Sequence, residues 1–171
     1  PKINVIAPWR EWKLNSRKDL IRYAKKNGII IPKDKKGAPP FSIDDNLLHT
    51  STEGKILEDP KKPAPEYIFQ RTLSPEKAPN KSTFITIEYR NGNPIKLNNK
   101  KLSPAKLLMK LNEIAGKNGV GRADLVENRF IGIKSRGIYE TPGGSVLLFA
   151  NRAIQSISLD KNTMHKNDEI M

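Results

Sequence analysis

Apolar residues recur at helical spacing in three segments of the chain, and each segment follows a helix-start signal. The first begins after Ser16, whose hydroxyl can accept from the backbone N–H three residues on, and it ends at Asn27-Gly28. The others begin at Ser103-Pro104 and Thr141-Pro142, where proline takes the first helical position. The pattern therefore predicts helices that start near residues 17, 104 and 142, the last with a wide apolar stripe.

Short apolar runs and alternating patterns predict strands around these helices. A hairpin is expected where strands over 83–89 and 95–97 flank Asn91-Gly92. Further strands are expected at 2–7, 29–31, 123–126 and 130–133. Because helices and hairpin strands are mixed without regular alternation, the pattern predicts an α+β fold, with a mixed sheet and packed helices.

The remaining segments carry weaker patterns. Proline and lysine in 32–40, and five prolines in 60–80, predict loops. Segment 41–59 is polar and rich in hydroxyl groups, and its periodicity does not decide between helix and strand. The polar tail 161–171 has no helix-stop signal.

Composition excludes several kinds of chemistry. The 171 residues contain no cysteine and two histidines, so disulfides, thiol nucleophiles and thiolate zinc sites are absent. Apolar runs are too short to span a membrane, and no signal-type segment is recognisable, so we expect a cytoplasmic protein. Gly-rich phosphate loops and a Gly-x-Ser-x-Gly elbow are also missing.

A formal net charge of +13 raises the possibility of nucleic-acid binding. Lysine supplies 22 of the 31 basic residues, however, and aromatic residues do not alternate with them as they do in a base-stacking surface. A solvated basic surface explains this charge equally well. A basic nucleic-acid-binding α+β domain therefore remains the alternative function, beside a bare oligomerisation module.

Glu127 is the most informative single residue. It follows Ala123 and Leu125 at two-residue spacing, so a strand places all three on one face, and the apolar pair predicts that this face points inward. A buried carboxylate needs a cation or several donors. The partner is either Arg129 or Arg136 in an internal ion pair, or an ammonium group of a ligand.

Hydroxyl groups offer weaker candidates. Tyr139 comes just before Thr141-Pro142, so its phenol is expected beside a helix N-terminus that can hold an anion, although packing alone would also explain it. Ser42 and Ser51 either bind a ligand or stabilise turns. For His49, near Asp44 and Asp45, a structural role is favoured over metal binding or general-base catalysis.

Longer strings go beyond these separate signals and resemble argininosuccinate synthase. The matching strings are Ile6–Arg10, Ser42–Leu47, Ile56–Pro60, Gly119–Arg122 and Val126–Gly144. The last is long, ungapped and unusual in composition. The resemblance implies a cytoplasmic homotetrameric ligase of arginine biosynthesis, which joins citrulline and aspartate through a citrullyl-adenylate and releases AMP and pyrophosphate from ATP.

The resemblance also implies roles for particular residues. Ser42, Ser51, Glu127 and Tyr139 match the family's citrulline contacts, and no catalytic residue, cofactor-binding residue or metal ligand is assigned to this chain. ATP, with its Mg²⁺, is expected to bind mainly to a nucleotide-binding domain that also supplies aspartate contacts. That domain's phosphate loop is not found in this sequence.

The expected organisation follows from the same resemblance. Residues 1–10 correspond to the end of the nucleotide-binding domain or a linker strand. Residues 11–171 correspond to part of the synthetase domain, which binds citrulline and forms the multimer. The chain is thus expected to be an internal piece of the protein and to be inactive alone, without nucleic-acid or membrane partners.

Overall fold

The computed structural model describes residues 3–31 and 40–170. The chain forms two compact units, one ending at Pro40 and the other beginning at Phe41. In the first unit, helix α1 spans Arg17–Lys26, and the Ser16 hydroxyl accepts from the backbone N–H of Asp19 at 3.2 Å. Gly28 follows the helix with φ of 68°. The predicted first helix and its two end signals are confirmed.

Two predicted strands of this unit are wrong. Residues 3–7 and 29–31 have no strand structure, and Pro8–Arg10 forms a 3₁₀ turn. A strand needs a hydrogen-bonded neighbour, and none pairs with these segments among the described residues. Residue 2 of the first predicted strand and residues 32–39 of the predicted loop lie outside the described ranges.

Over residues 41–170 the second unit combines two sheets with three α-helices, which confirms the α+β class. The predicted mixed sheet is wrong, because every strand pair of the described residues is antiparallel. In chain order the strands are β1 Ser42–Asp45, β2 Thr50–Glu53, β3 Ile87–Arg90, β4 Asn93–Leu97, β5 Lys100–Lys101, β6 Arg122–Asn128 and β7 Lys134–Glu140. The helices are α2 Pro104–Lys117, α3 Pro142–Ser158 and α4 Lys161–Ile170. The larger sheet has the order β1-β2-β7-β6 and the smaller one β3-β4-β5.

Strands β1 and β2 form a hairpin in the segment whose pattern was undecided. The side-chain oxygen of Asn46 accepts from the backbone N–H groups of Leu48 at 2.9 Å and His49 at 3.1 Å, which stabilises the turn. The His49 ring lies 3.3 Å from the Asn46 amide nitrogen. His49 therefore belongs to the turn, which agrees with the structural role favoured for it.

The predicted strand at 130–133 is wrong, because these residues form the loop between β6 and β7. Gly132 has φ of 81°, and its N–H donates to the Arg129 carbonyl at 2.8 Å. This left-handed glycine closes a tight turn, so the next strand starts only at Lys134. The apolar residues of this segment instead lie on an exposed loop, with Phe130 fully exposed.

Helix α4 covers most of the polar tail, for which the sequence made no helix or strand prediction. Asp160 caps it, since its carboxylate accepts from the N–H groups of Asn162 at 2.9 Å and Thr163 at 3.1 Å. The helices at 104 and 142, the strand near 123–126 and the Asn91-Gly92 hairpin are confirmed, but the first hairpin strand begins at Ile87 and not at residue 83. Among the described helices, none has both the length and the apolar character needed to cross a membrane.

Two apolar clusters stabilise this unit. Beneath the larger sheet, Ile138 packs with Phe41, Leu57 and Ile68, so the loop segment after β2 covers that face. Beneath the smaller sheet, Leu97 packs with Leu107 and Leu111 of α2, and residues of α3 contact this second cluster. The larger sheet is therefore covered on the face that carries Ile138.

Candidate functional site

The four residues predicted to contact citrulline lie on one face of the larger sheet. Directly paired residues of an antiparallel sheet point to the same side, and positions two apart on a strand do too. Ser51 pairs with Tyr139, while Ser42 pairs with Glu53, two residues beyond Ser51. Glu127 pairs with Ser135, four residues before Tyr139. We call this side the open face, since the side chain of Ile138 and the covering loop occupy the other.

Glu127 does not point into the core, contrary to the sequence prediction. Leu125, on the same face, is 43% exposed, whereas Ile138 and Thr52 on the opposite face are buried. Strand β6 lies at the edge of the sheet, and it carries apolar residues on both faces, Leu125 on one and Val126 on the other. Its own alternation therefore could not tell the covered face from the open one, and Glu127 is half-buried on the open face.

The internal ion pair considered for Glu127 is not formed. Arg129 pairs with Glu53 at 2.9 Å, and Arg136 forms a two-point contact with Asp124 at 2.7 and 2.8 Å on the opposite face. Within the described ranges, Glu127 makes no hydrogen bond or ion pair. Its carboxylate is left available on the open face.

The phenol of Tyr139 does not lie at the start of α3 as expected. Its ring instead folds back along β7 over Gly137, two residues before it. In the described part of the chain, the hydroxyls of Tyr139, Ser42 and Ser51 have no hydrogen-bond partner. Three hydroxyl groups and one carboxylate, all free to bind a ligand, therefore share the open face.

Two further acidic residues lie on this face and were missed as site candidates. Asp44 pairs with Ser51, and Glu53 pairs with Ser42 and with Gly137. Alternation in Ser42-Ile43-Asp44 and Ser51-Thr52-Glu53 is the signal that could have found them once the hairpin is known. The acidic residues of the open face thus favour a ligand that carries positive charge. Arg129 lies beside Glu53 and forms an ion pair with it.

Among residues 3–31 and 40–170, the most deeply buried carboxylate belongs to Glu140, which no sequence pattern singled out. The side chain is 1% exposed, and Oε2 accepts from the Gln70 N–H at 2.7 Å. Oε1 accepts from the N–H groups of Arg71 at 3.0 Å and Thr72 at 2.9 Å, and from the Thr72 hydroxyl at 2.6 Å. Glu140 therefore fixes the segment around residue 71 to the end of β7.

Arg122 completes this attachment from the neighbouring strand. It donates to the Thr72 hydroxyl and carbonyl, both at 2.7 Å, and forms a two-point contact with Glu66 at 2.7 and 2.8 Å. The guanidinium also stacks on the Phe69 ring, 3.7 Å from its centre. The hydrogen bond from Arg122 holds the pKa of Glu66 below its usual range. These contacts hold the loop that covers the buried face of the sheet.

Of the two acidic residues near His49, Asp44 lies on the open face and Asp45 has protein partners. A hydrogen bond from the Thr50 hydroxyl, with Arg71 nearby, lowers the pKa of Asp45. Across residues 3–31 and 40–170, no three carboxylate or imidazole groups converge so that they could hold a metal ion.

Comparison with known proteins identifies a family that this chain resembles. A family model described as the arginosuccinate synthase C-terminal domain matches residues 41–171. Argininosuccinate synthase of Pelagibacter ubique is 74% identical over the whole chain, which covers 43% of that relative. The enzymes named argininosuccinate synthase from Zymomonas mobilis and Xanthobacter autotrophicus are each 58% identical over the whole chain, which covers 42% of either. The chain therefore spans about two fifths of these relatives.

Proposed function

Because the chain belongs to the argininosuccinate synthase family, we propose that it forms the citrulline-binding part of an ATP-dependent ligase that joins citrulline to aspartate. The four candidate residues all lie within the range matched by the family model. The activity belongs to the longer protein, and we expect residues 1–171 alone to be inactive.

One observation supports the proposal most directly. Ser42, Ser51, Glu127 and Tyr139 come from four different strands, yet they share the open face and have no partner in the described residues. A half-buried carboxylate without a cation suits the α-ammonium group of an amino acid. The hydroxyl groups can donate to its carboxylate or bind the ureido group of citrulline.

The proposed reaction has two steps. The ureido oxygen of citrulline attacks the α-phosphorus of ATP, and pyrophosphate leaves to give citrullyl-adenylate. The aspartate amine then attacks the ureido carbon, AMP leaves, and argininosuccinate is formed. Holding the ureido group in place for both attacks is the task of this chain, so its residues act by positioning rather than as acids or bases.

Other parts of the assembly complete the proposal. We assign ATP, its Mg²⁺ and most aspartate contacts to the remainder of the longer protein, and we place the homotetrameric enzyme in the cytoplasm. Because the described residues gather no metal-binding cluster, no metal ligand is assigned to this chain.

Substitution of Glu127 by Gln in the full-length protein tests the proposal. Loss of a charge-assisted contact worth about 1.5–3 kcal/mol corresponds to a rise of about 10- to 150-fold in the KM for citrulline. The KM for ATP should stay within about twofold, since the substituted group contacts only the amino acid. Steady-state kinetics with each substrate varied in turn measures both values.

Glu88→Gln is the matched control. Glu88 is also a strand glutamate, but it lies in the smaller sheet and pairs with Lys96 at 2.7 Å. This variant should leave both KM values unchanged. An unaltered citrulline dependence in a folded Glu127→Gln enzyme would contradict the proposed function.

A further inference from the structure

We propose that Gly137 is a positioning residue for citrulline, since its missing side chain leaves the space in which the phenol of Tyr139 lies. This inference rests on the proposed function, and it concerns a residue that matches none of the four citrulline contacts.

The Tyr139 ring occupies the place where a side chain at residue 137 would begin. A Cβ atom built on Gly137 would lie 2.6 Å from the phenol oxygen and 2.8 Å from both Cε2 and Cζ of Tyr139. Real Cβ atoms do not approach other heavy atoms so closely. Any residue other than glycine at position 137 therefore requires the ring to move.

The backbone itself gives no reason for glycine here. Gly137 lies inside β7 and does not have a positive φ, unlike Gly132 in the preceding loop with φ of 81°. Glycine within a strand costs conformational entropy and contributes no packing. The space taken by the Tyr139 ring is thus the feature of this position that calls for glycine.

The ring position matters because of where it carries the phenol. Tyr139 lies four residues along β7 from Ser135, the partner of Glu127, a distance of about 13 Å at the usual rise per residue. Because the ring folds back over Gly137, the hydroxyl lies level with Gly137, about 7 Å along the strand from Ser135 and its partner Glu127. The phenol and the carboxylate can then contact one small amino acid together.

Neighbouring strands leave the ring few other places. Gly137 pairs with Glu53 on one side and Leu125 on the other, so side chains flank it on the open face. A methyl group at 137 would lift the ring from between them or turn it toward solvent. Either movement withdraws the hydroxyl from the position that it shares with Glu127.

A double-mutant cycle in the full-length protein tests this role. Gly137→Ala should raise the KM for citrulline about tenfold, with kcat and the KM for ATP within about twofold, because binding is impaired but the chemical steps are not. Tyr139→Ala should raise the same KM. Adding Gly137→Ala to Tyr139→Ala should change it less than twofold, since the methyl group then has no ring to displace.

The double variant also guards against misfolding. Removal of the ring relieves the overlap, so Gly137→Ala/Tyr139→Ala should fold even if Gly137→Ala does not, and its KM is compared with that of Tyr139→Ala. An unchanged KM in folded Gly137→Ala would overturn the positioning role. An equal rise on both backgrounds would do the same, because Gly137 would then act on the ligand directly.

The Glu127→Gln enzyme separates this inference from the proposed function. If Glu127→Gln raises the KM for citrulline and Gly137→Ala does not, the positioning role alone is wrong. If neither substitution alters the citrulline dependence, the proposed function is wrong as well.

Discussion

Replacing Glu140 by Gln should release the loop that covers the larger sheet. The substitution keeps the size of the side chain and removes its charge. If the remaining carbonyl oxygen keeps the bonds to Arg71 and Thr72, the new NH₂ group faces the Gln70 N–H, which Oε2 accepts at 2.7 Å. The new NH₂ group and the Gln70 N–H are both donors, and they then face each other at a residue that is only 1% exposed.

The expected loss of stability follows from the individual contacts. The unsatisfied Gln70 N–H costs about 1–3 kcal/mol, and each of the three other bonds loses about 1 kcal/mol of charge assistance. Because a neutral amide is less costly to bury than a carboxylate, part of this loss is recovered. A net destabilisation of about 3 kcal/mol remains.

Hydrogen exchange measured by mass spectrometry resolves the effect locally. The amides of residues 70–72 should exchange about 100-fold faster in Glu140→Gln, since about 3 kcal/mol corresponds to roughly two powers of ten in the opening equilibrium. Urea unfolding should report a comparable global loss. Glu88→Gln, which alters an exposed strand pair, should stay within about 0.5 kcal/mol of the parent. Unchanged exchange at residues 70–72 would refute the anchoring role of Glu140.

Two further predictions concern stability. A hydrogen bond from Arg136 lowers the pKa of Asp124 below 3.8, so this contact stabilises the folded state above that pH. The stabilisation is lost as the pH falls through the lowered pKa, so the stability of Asp124→Asn should depend less on pH below about pH 4. The same loss of stability with falling pH in the variant and the parent would contradict this. Gly121→Ala should lower the free energy of unfolding, measured in urea, by about 2–4 kcal/mol, because φ is 96° and a Cβ would lie 2.5 Å from the Pro142 Cα. Gly28→Ala, with φ of 68° in open space, should cost only about 1–2 kcal/mol, and equal losses for both variants would argue against the backbone overlap at Gly121.

Helices could be predicted wherever their start is encoded by adjacent residues. Ser16, Ser103-Pro104 and Thr141-Pro142 each mark a helix that the structure contains. Helix α4 was missed because Asp160 caps a polar segment whose apolar spacing gives little sign of a helix. A capping residue therefore predicts a helix only when apolar residues at helical spacing follow it.

Strands depend on partners that are distant in sequence, and here prediction was weaker. Strands β1 and β2 have four residues each, too few for alternation to stand out. The pairing of Ser51 with Tyr139 decides which face is covered, and these residues are 88 positions apart. The face of Glu127 could not be derived from Ala123 and Leu125 alone.

The residue types of the candidate site came from the resemblance, whereas their arrangement came from the fold. Nothing local in the sequence indicates that Ser42 and Glu127 share a face, since this follows from the order of four strands. The close approach of Gly137 and Tyr139 was also hidden, because a glycine before an apolar residue has no distinctive pattern.

The hairpin of β6 and β7 carries both Glu127 and Tyr139, and this has a consequence for how the segment tolerates changes in length. Loop 129–133 joins the strands outside their paired residues, so added residues there would leave the register of both side chains intact. One residue inserted between Ser135 and Tyr139 would instead turn the side chain of one of them to the opposite face. Two inserted residues would restore the shared face but lengthen the distance between Tyr139 and the partner of Glu127. Within the paired strands, an even or odd number of inserted residues therefore decides whether the open face is preserved, whereas loop 129–133 tolerates either.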